Sequence, residues 1–519
     1  MRRVAATIGS LGLVFAALLA TGPVRVSAVD KTQATFLVGT PGTFDPAAAG
    51  DVDTAAVVAQ IYDTLTVYDA SRVLQPALAA SWDVAADGRS VAFHLRPNLQ
   101  FSDGSAMTGA DVVGSWLRII DPAAPAPLAA LMIDVKGARD YVTGRNNDPK
   151  SVGLKANGND VEVELERPGA DFPAIVSSPL FAIVPPAAWR DGRAAFGVGA
   201  VGSGGYTITS ASDTEIVLKA NPNYWAGTPA IETIHLLLGI GGKNPITEFE
   251  AGNLDYTEVS LIDAPWLPYD AAFGAQLRET TSLSLTYLGF NTRIKPFDDV
   301  RVRQAIGAAV DWERVVGLGN LAGQIGAQSM VPAGIPGAGD ANWLPVHDPD
   351  AARQLLAAAG YPGGSGLPTI QFAAGSLNIA DGIAADLERE LGMHVEIEEL
   401  DDHLGRLATD PPGMWVTGWI ADYIGPNDFL GVLLESDSSN NYGHWSSTAF
   451  DQAIADALSS RDPGAAQSAY ERALAEIQRD VPVIPLYGST DFALSRDGLL
   501  GAGGNGLGIP RMAGMSWAP

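Results

Sequence analysis

The sequence contains no cysteine, few basic residues and, beyond its N-terminus, no apolar run long enough to cross a bilayer. Without cysteine there is no disulfide framework and no site for a lipid anchor, so the 519-residue chain must be stabilised by its cores. Its 32 Lys+Arg stand against 59 Asp+Glu, a formal net charge of −27. Such a balance argues against nucleic-acid binding, which needs a basic patch.

Catalytic signatures are also missing from the sequence. It has no G-x-S-x-G elbow, no H-E-x-x-H metal motif and no phosphate loop, and its six histidines are scattered. We therefore predict no catalytic residue, no metal site and no cofactor, and any ATPase must be another chain.

The N-terminus has the order of an export signal. Arg2 and Arg3 precede an apolar stretch, residues 4–20, and small residues follow at 26–28. This order predicts a signal peptide over residues 1–28, removed on export. We expect a periplasmic or secreted protein that is not a lipoprotein.

Strand and helix patterns alternate along the rest of the chain. Period-two segments predict strands, and apolar residues at helical spacing predict helices, several behind an aspartate or proline. The strands are expected at 91–97, 160–168 and 215–222, and the helices at 297–316, 348–362, 448–460 and 463–480. The mixture favours α/β or α+β domains.

One long segment and several short ones follow a recognisable order. Residues 74–116 read LQPALAASWDVAADGRSVAFHLRPNLQFSDGSAMTGADVVGSW, with turns at Asp87-Gly88 and Asp103-Gly104 and a helix opened by Thr108 and Asp111. The others are TFDPA (43–47), IYDTL (61–65), VGSGGYTI (201–208), NPNYW (221–225), FEAGNLD (249–255), YLGFNTRIKPFDDVRVRQAIGAAVD (287–311), TGWIADYIGPNDFL (417–430) and DVPVIPLYG (480–488). Together they resemble bacterial solute-binding protein family 5, the peptide and oligopeptide receptors of ATP-binding cassette importers.

The resemblance implies an α/β fold of two lobes, the type II-like periplasmic-binding-protein fold with an extra subdomain in lobe I. A ligand cleft lies between lobes joined by two hinge crossings, expected near 290–291 and 487–491. The implied domains are lobe I (29–70, 201–288 and 490–519), its inserted subdomain (71–200) and lobe II (289–489).

Asp422 is the principal candidate for ligand binding. By resemblance, it would accept the α-ammonium of a bound peptide, with Trp419 and Tyr423 as an apolar wall. From the residues alone, an acid ahead of Gly425-Pro426 can equally cap a turn, and the two aromatic residues can be ordinary core.

Further candidates come from the same resemblance. Val52 and Asp53, in the loop 49–53, would pair their backbone with an extended ligand, as in strand addition. Asn291 and Tyr487 lie at the expected crossings, where they could face the cleft or pack the hinge. Some oligopeptide receptors have an arginine where this chain has Val416, so a ligand carboxylate must be held elsewhere or the ligand differs.

These features predict the substrate-binding component of an importer. Its expected partners are a small peptide or peptide-like ligand and a membrane permease with its ATPase, and it is expected to be a monomer. The alternative within the same fold is a non-peptide solute: an oligosaccharide, an opine-like conjugate or a nickel chelate. A secreted hydrolase is a third possibility, which the absent nucleophile–base pair argues against.

Overall fold

The computed structural model describes residues 31–190, 195–318, 325–336, 344–374, 377–398 and 402–519, and the predicted signal peptide lies outside them. In chain order the strands are β1 (Gln33–Leu37), β2 (Thr66–Tyr68), β3 (Leu74–Pro76), β4 (Ala79–Val84), β5 (Ser90–Leu95), β6 (Leu154–Asn157), β7 (Asp160–Glu164), β8 (Tyr206–Ala211), β9 (Glu215–Ala220), β10 (Thr233–Leu237), β11 (Tyr256–Glu258), β12 (Leu277–Thr281), β13 (Ser284–Phe290), β14 (Ile325–Gly326), β15 (Ile370–Ala374), β16 (Val395–Glu398), β17 (Met414–Ile420), β18 (Val483–Gly488), β19 (Thr490–Ser495), β20 (Leu499–Leu500) and β21 (Ser516–Trp517). The helices are α1 (Val52–Ile61), α2 (Gly109–Ile119), α3 (Ala138–Val142), α4 (Phe172–Ile175), α5 (Pro186–Trp189), α6 (Pro245–Glu250), α7 (Val300–Ala309), α8 (Trp312–Leu318), α9 (Pro349–Ala358), α10 (Leu377–Leu391), α11 (His403–Thr409), α12 (Pro426–Phe429), α13 (Gly431–Leu434), α14 (Thr448–Ser459) and α15 (Pro463–Asp480).

A mixed sheet with the order β12-β19-β11-β1-β10-β9-β8 forms the first lobe. β1 runs parallel to both β10 and β11, and the other pairs are antiparallel. In β9, Ile216 and Leu218 are fully buried while their neighbours are more exposed. This alternation is the one that the sequence predicts for the strand at 215–222.

A second mixed sheet, β14-β18-β13-β17-β15-β16, forms the second lobe. α7 buries Val302 and Ile306, four residues apart, in its core. The predicted helix 297–316 is wrong as one unit, because it divides into α7 and α8. At the break, the Asp311 main-chain N–H donates to the carboxylate of Asp386 instead of continuing the helix.

The inserted subdomain of the first lobe contains the antiparallel sheet β4-β5-β7-β6. Its first hairpin turns at Gly88, whose φ of 67° favours glycine. Thr108 and Asp111 form a capping box at the start of α2, which confirms the predicted helix start.

Two chain segments connect the lobes. β12 belongs to the first sheet and β13 to the second, so the chain passes between lobes at residues 282–283; it returns at Ser489, between β18 and β19. The return lies within the predicted range 487–491. The first passage lies before the predicted 290–291, and the predicted boundary 288/289 falls inside β13, because that strand pairs along its length with β17. The other domain bounds stay predictions.

Candidate functional site

The segment that carries Asp422 leaves the second sheet at the end of β17. The strand buries Met414 and Trp415 in the core and then exposes Gly418 and Ile420. Pro426 opens α12 immediately afterwards, where its missing N–H costs no hydrogen bond. The chain therefore turns sharply at the boundary between the lobes.

Asp422 lies in this turn and presents an unsatisfied oxygen. The residue is half-buried, and its Oδ2 is inaccessible to solvent and has no hydrogen-bond partner among the described residues. Burial raises the pKa of the Asp422 carboxyl to about 7. A carboxylate in this position would be stabilised by any cationic hydrogen-bond donor that reached it.

A small cavity of about 30 Å³ adjoins Asp422, and residues of both lobes line it. Tyr62, at the end of α1, is one of the lining residues, and its hydroxyl lacks a described partner. The Tyr68 hydroxyl donates to the Ile424 carbonyl oxygen, at 3.0 Å. Arg511, the one cation among the described lining residues, is already paired with Asp63 at 2.5 Å. The small cavity has room for one water-sized or ammonium-sized group.

A second carboxyl, that of Asp428, is hydrogen-bonded to the main chain of Asp422. Its Oδ2 accepts hydrogen bonds from Trp419 Nε1 and from the Asp422 main-chain N–H, each at 3.1 Å. Asp428 is fully buried, and this burial, with the nearby Asp422, raises its pKa well above the usual range. Sequence reasoning missed Asp428; its only signal was an acid six residues after Asp422 in one short turn.

Of the two predicted wall residues, Trp419 is half-buried and packs against the core, with its ring N–H used by Asp428. Tyr423 is fully buried, and its hydroxyl donates to Asp171 Oδ2 at 2.8 Å and accepts from Asn427 Nδ2 at 3.1 Å. Tyr423 thus bonds the second lobe to the inserted subdomain of the first.

Val52 and Asp53 lie in the first turn of α1 and not in the expected loop, so their backbone is helical and not extended. Both line a large cavity of about 360 Å³ in the first lobe. Its charged lining groups are Asp53, Glu258, Asp491 and Arg278. Burial raises the pKa values of Glu258 and Asp491, and the negative charges of Asp491 and Asp53 add to the shift of Glu258. Ile509 lines both the large and the small cavity, so the two are neighbours.

Asn291 and Tyr487 line neither of these two cavities. Asn291 is buried, donates to the Pro411 carbonyl oxygen at 3.1 Å and accepts from the Arg293 main-chain N–H. Tyr487 lies in β18 and packs partly against the second-lobe core. Both contacts of Asn291 lie within the second lobe, away from the crossing at 282–283, so they do not support hinge packing for Asn291. Tyr487 lies beside the return crossing at Ser489, where hinge packing stays a prediction.

Val416 is 7% exposed and belongs to the core of the second lobe. A third cavity, of about 540 Å³, lies at the crossings beside Ser284 and Ser489, and its described lining contains no charged side chain. Neither Val416 nor this cavity offers a cation to a ligand carboxylate.

The two lobes touch directly around Asp422. Arg167, in the inserted subdomain, forms a two-pronged ion pair with Glu435 after α13, with Nη2 to Oε2 at 2.8 Å, and its Nε donates to Asp134. The structure is therefore closed at this point. Within the described residues, no three or more potential ligands cluster as a metal site, and no helix is long and apolar enough to cross a membrane.

The sequence profile of "bacterial extracellular solute-binding proteins, family 5 Middle" matches residues 73–441. The chain belongs to this family. Two lobes, two crossings and a site between the lobes agree with a protein that binds a solute by closing on it.

The names of proteins similar to this chain mention several different ligands. The periplasmic oligopeptide-binding protein OppA of Salmonella typhimurium is 28% identical, over 91% of this chain and 90% of its own length. A probable deoxycholate-binding periplasmic protein, YgiS of Escherichia coli, is 26% identical over 86% of each chain. The solved structure of the Escherichia coli murein tripeptide binding protein MppA shares the fold, with a TM-score of 0.81, 23% identity and coverage of 94% and 99%.

Proposed function

We propose that this family member captures a peptide-like solute by its α-ammonium group and delivers it to a membrane permease. The observation that carries the proposal is the buried, unpartnered Oδ2 of Asp422 beside a cavity of ammonium size. The names of the oligopeptide- and murein-peptide-binding relatives support a peptide ligand.

The energetics favour selection for a cation. A carboxylate removed from water is compensated only when a charged donor with good geometry joins it. A ligand without the ammonium would leave Asp422 buried and unpaired, at a cost of about 2–5 kcal/mol.

β17 offers a free strand edge, close to Asp422, to the backbone of a peptide ligand. β17 pairs with β13 along its whole length, but β15 pairs with it only as far as Val416. From Thr417 to Ile420, no described strand covers the other edge. An extended ligand could add there as a strand.

We infer that the chain is the binding component of an ATP-binding cassette importer, acting in the periplasm as a monomer and not as an enzyme. The relatives' names, which describe periplasmic binding proteins, support this assignment. Incubation with chromogenic peptides and esters tests the hydrolase alternative, and we expect no turnover.

Calorimetry with a tripeptide pool and the same pool N-acetylated tests the ammonium anchor. The wild-type protein should prefer the free amines by roughly 30-fold, about 2 kcal/mol. Asp422→Asn should bind both pools equally, and the exposed control Asp213→Asn should match the wild type. Equal binding of both pools by the wild type would contradict the proposal.

The second candidate is a non-peptide solute. The buried position of Val416 favours it, since no cation stands where some oligopeptide receptors have an arginine. The name of the deoxycholate-binding relative also shows that peptide ligands are not the rule for all relatives.

A further inference from the structure

The two oxygens of the Asp428 carboxyl have different hydrogen-bond environments. It lies on α12 with no exposed surface, and its Oδ2 accepts two N–H groups, from the Trp419 ring and from the Asp422 main chain. Its Oδ1 has no hydrogen-bond partner among the described residues. An ionised carboxylate there would hold part of its charge on an oxygen that neither solvent nor a described donor reaches.

The titratable groups that face Asp428 are acids and phenols. Asp422 precedes it on the same turn, and Asp171 approaches from the start of α4. Tyr68, on β2, and Tyr423 also face it. Each of these groups is either neutral or negative at neutral pH, so none favours a charge on Asp428.

The nearby cations are committed to other acids. Arg511 pairs with Asp63. Arg167 pairs with Asp134 and Glu435. No ion pair joins Asp428 to a basic residue within the described part of the chain.

We propose that Asp428 is a neutral carboxylic acid and a positioning residue, which holds Asp422 and Trp419 so that the site offers one negative charge to one monovalent amine. The selectivity for an amine rests on the proposed function, whereas the protonation of Asp428 does not. Two ionised carboxylates in the same place would suit a divalent cation instead.

The pH dependence of unfolding tests the neutral state without a ligand. Asp428→Asn keeps an acceptor oxygen for both N–H groups but has no proton to lose. In the unfolded chain an aspartate ionises near pH 4, so a proton kept in the fold makes unfolding easier as pH rises. Between pH 5 and 8, the unfolding constant of the wild type should rise relative to that of Asp428→Asn by up to tenfold per pH unit.

The exposed control Asp213→Asn should follow the wild type at every pH. Parallel pH profiles for the wild type and Asp428→Asn would show that Asp428 is ionised in the fold, and would overturn the proposal.

Binding of a tripeptide pool, followed by native mass spectrometry, tests the positioning role. Asp428→Asn should keep the wild-type affinity within about twofold and the same pH profile, because the amide oxygen replaces the acid oxygen. Asp428→Ala should weaken binding by roughly tenfold, because it frees both N–H groups. Excess Ca²⁺ should not compete with the peptides.

A large loss in Asp428→Asn, full affinity in Asp428→Ala, or competition by Ca²⁺ would each overturn the positioning role. If no tripeptide binds the wild-type protein, the proposed function and the selectivity fail together. The unfolding profiles would still decide whether Asp428 is neutral.

Discussion

The carboxylates of Asp63 and Asp422 have opposite hydrogen-bond environments. Asp63 is buried and paired with Arg511, which lines the small cavity, whereas Asp422 is half-buried and lines the cavity itself. Asp63 Oδ1 receives Arg511, and its Oδ2 accepts from the Tyr224 hydroxyl at 3.0 Å and from Trp225 Nε1 at 2.6 Å. Asp422 Oδ2 receives no described donor. Both acids lie in segments that resemble motifs of the family, IYDTL (61–65) and TGWIADYIGPNDFL (417–430), so position in such a segment does not separate them.

The two acids differ in the source of their hydrogen-bond donors. The protein itself completes the hydrogen bonds of Asp63, so that cluster stabilises the first lobe with or without ligand. At Asp422, the proposed ligand would complete them. A buried acid is thus a candidate binding residue when the fold leaves it unsatisfied.

The largest expected effect is a loss of unfolding free energy when the hydrogen-bonded cluster around Asp63 is broken. Asp63→Ala leaves Arg511 charged and without its partner, which should cost about 3–5 kcal/mol of unfolding free energy. Urea unfolding of the ligand-free protein measures it. A loss below about 1 kcal/mol would show that Asp63 is no more committed than Asp422.

The corresponding substitution at Asp422 should weaken ligand binding and not stability. Asp422→Asn should reduce affinity for amine-bearing peptides by about 2–5 kcal/mol, with unfolding free energy unchanged or raised at pH 8. Titration calorimetry and urea unfolding of the same variant separate the two effects. A loss of stability as large as that of Asp63→Ala would make Asp422 a structural residue.

Affinity should also depend on pH through Asp422. Its pKa is raised to about 7, so the carboxyl gains a proton and loses its attraction for an ammonium as pH falls below 7. Between pH 8 and pH 6, affinity should fall by about tenfold, close to one proton's linkage. A flat profile in the wild type, or a slope that survives in Asp422→Asn, would assign the dependence to other groups.

The smallest effect is expected at the contact between the lobes. Arg167→Gln removes the ion pairs with Glu435 and with Asp134, on a side chain that is 30% exposed. Closure should weaken by about 1 kcal/mol, and ligand dissociation should quicken without loss of free-amine selectivity. Stopped-flow release of a fluorescent peptide tests this, and a changed preference for N-acetylated peptides would be inconsistent with it.

Much of the fold could be predicted from the sequence, and the site residues stay predictions. Local signals were sufficient for the capping box at Thr108 and Asp111 and for strand β9, because neighbouring residues determine both. Local signals failed where the deciding partner is distant. The helix expected at 297–316 breaks because Asp386 captures a main-chain N–H.

The site shows the same limit. The motif drew attention to Asp422, but the unsatisfied state of its carboxyl depends on residues of the first lobe that lie far away in the sequence. The bond from Tyr423 to Asp171 joins residues 252 positions apart. No spacing in the sequence reports such a pair, and Asp428 carries meaning only once its two donors are in place.

Asp422 is proposed to bind a cationic nitrogen of the ligand. The most direct measurement is native mass spectrometry of the mature protein as purified, followed by denaturation and identification of the released molecule. We expect small peptides, or another solute with a free amine, bound one per chain to the wild type and absent from Asp422→Asn. A released ligand without a cationic nitrogen, retained equally by the variant, would contradict the claim.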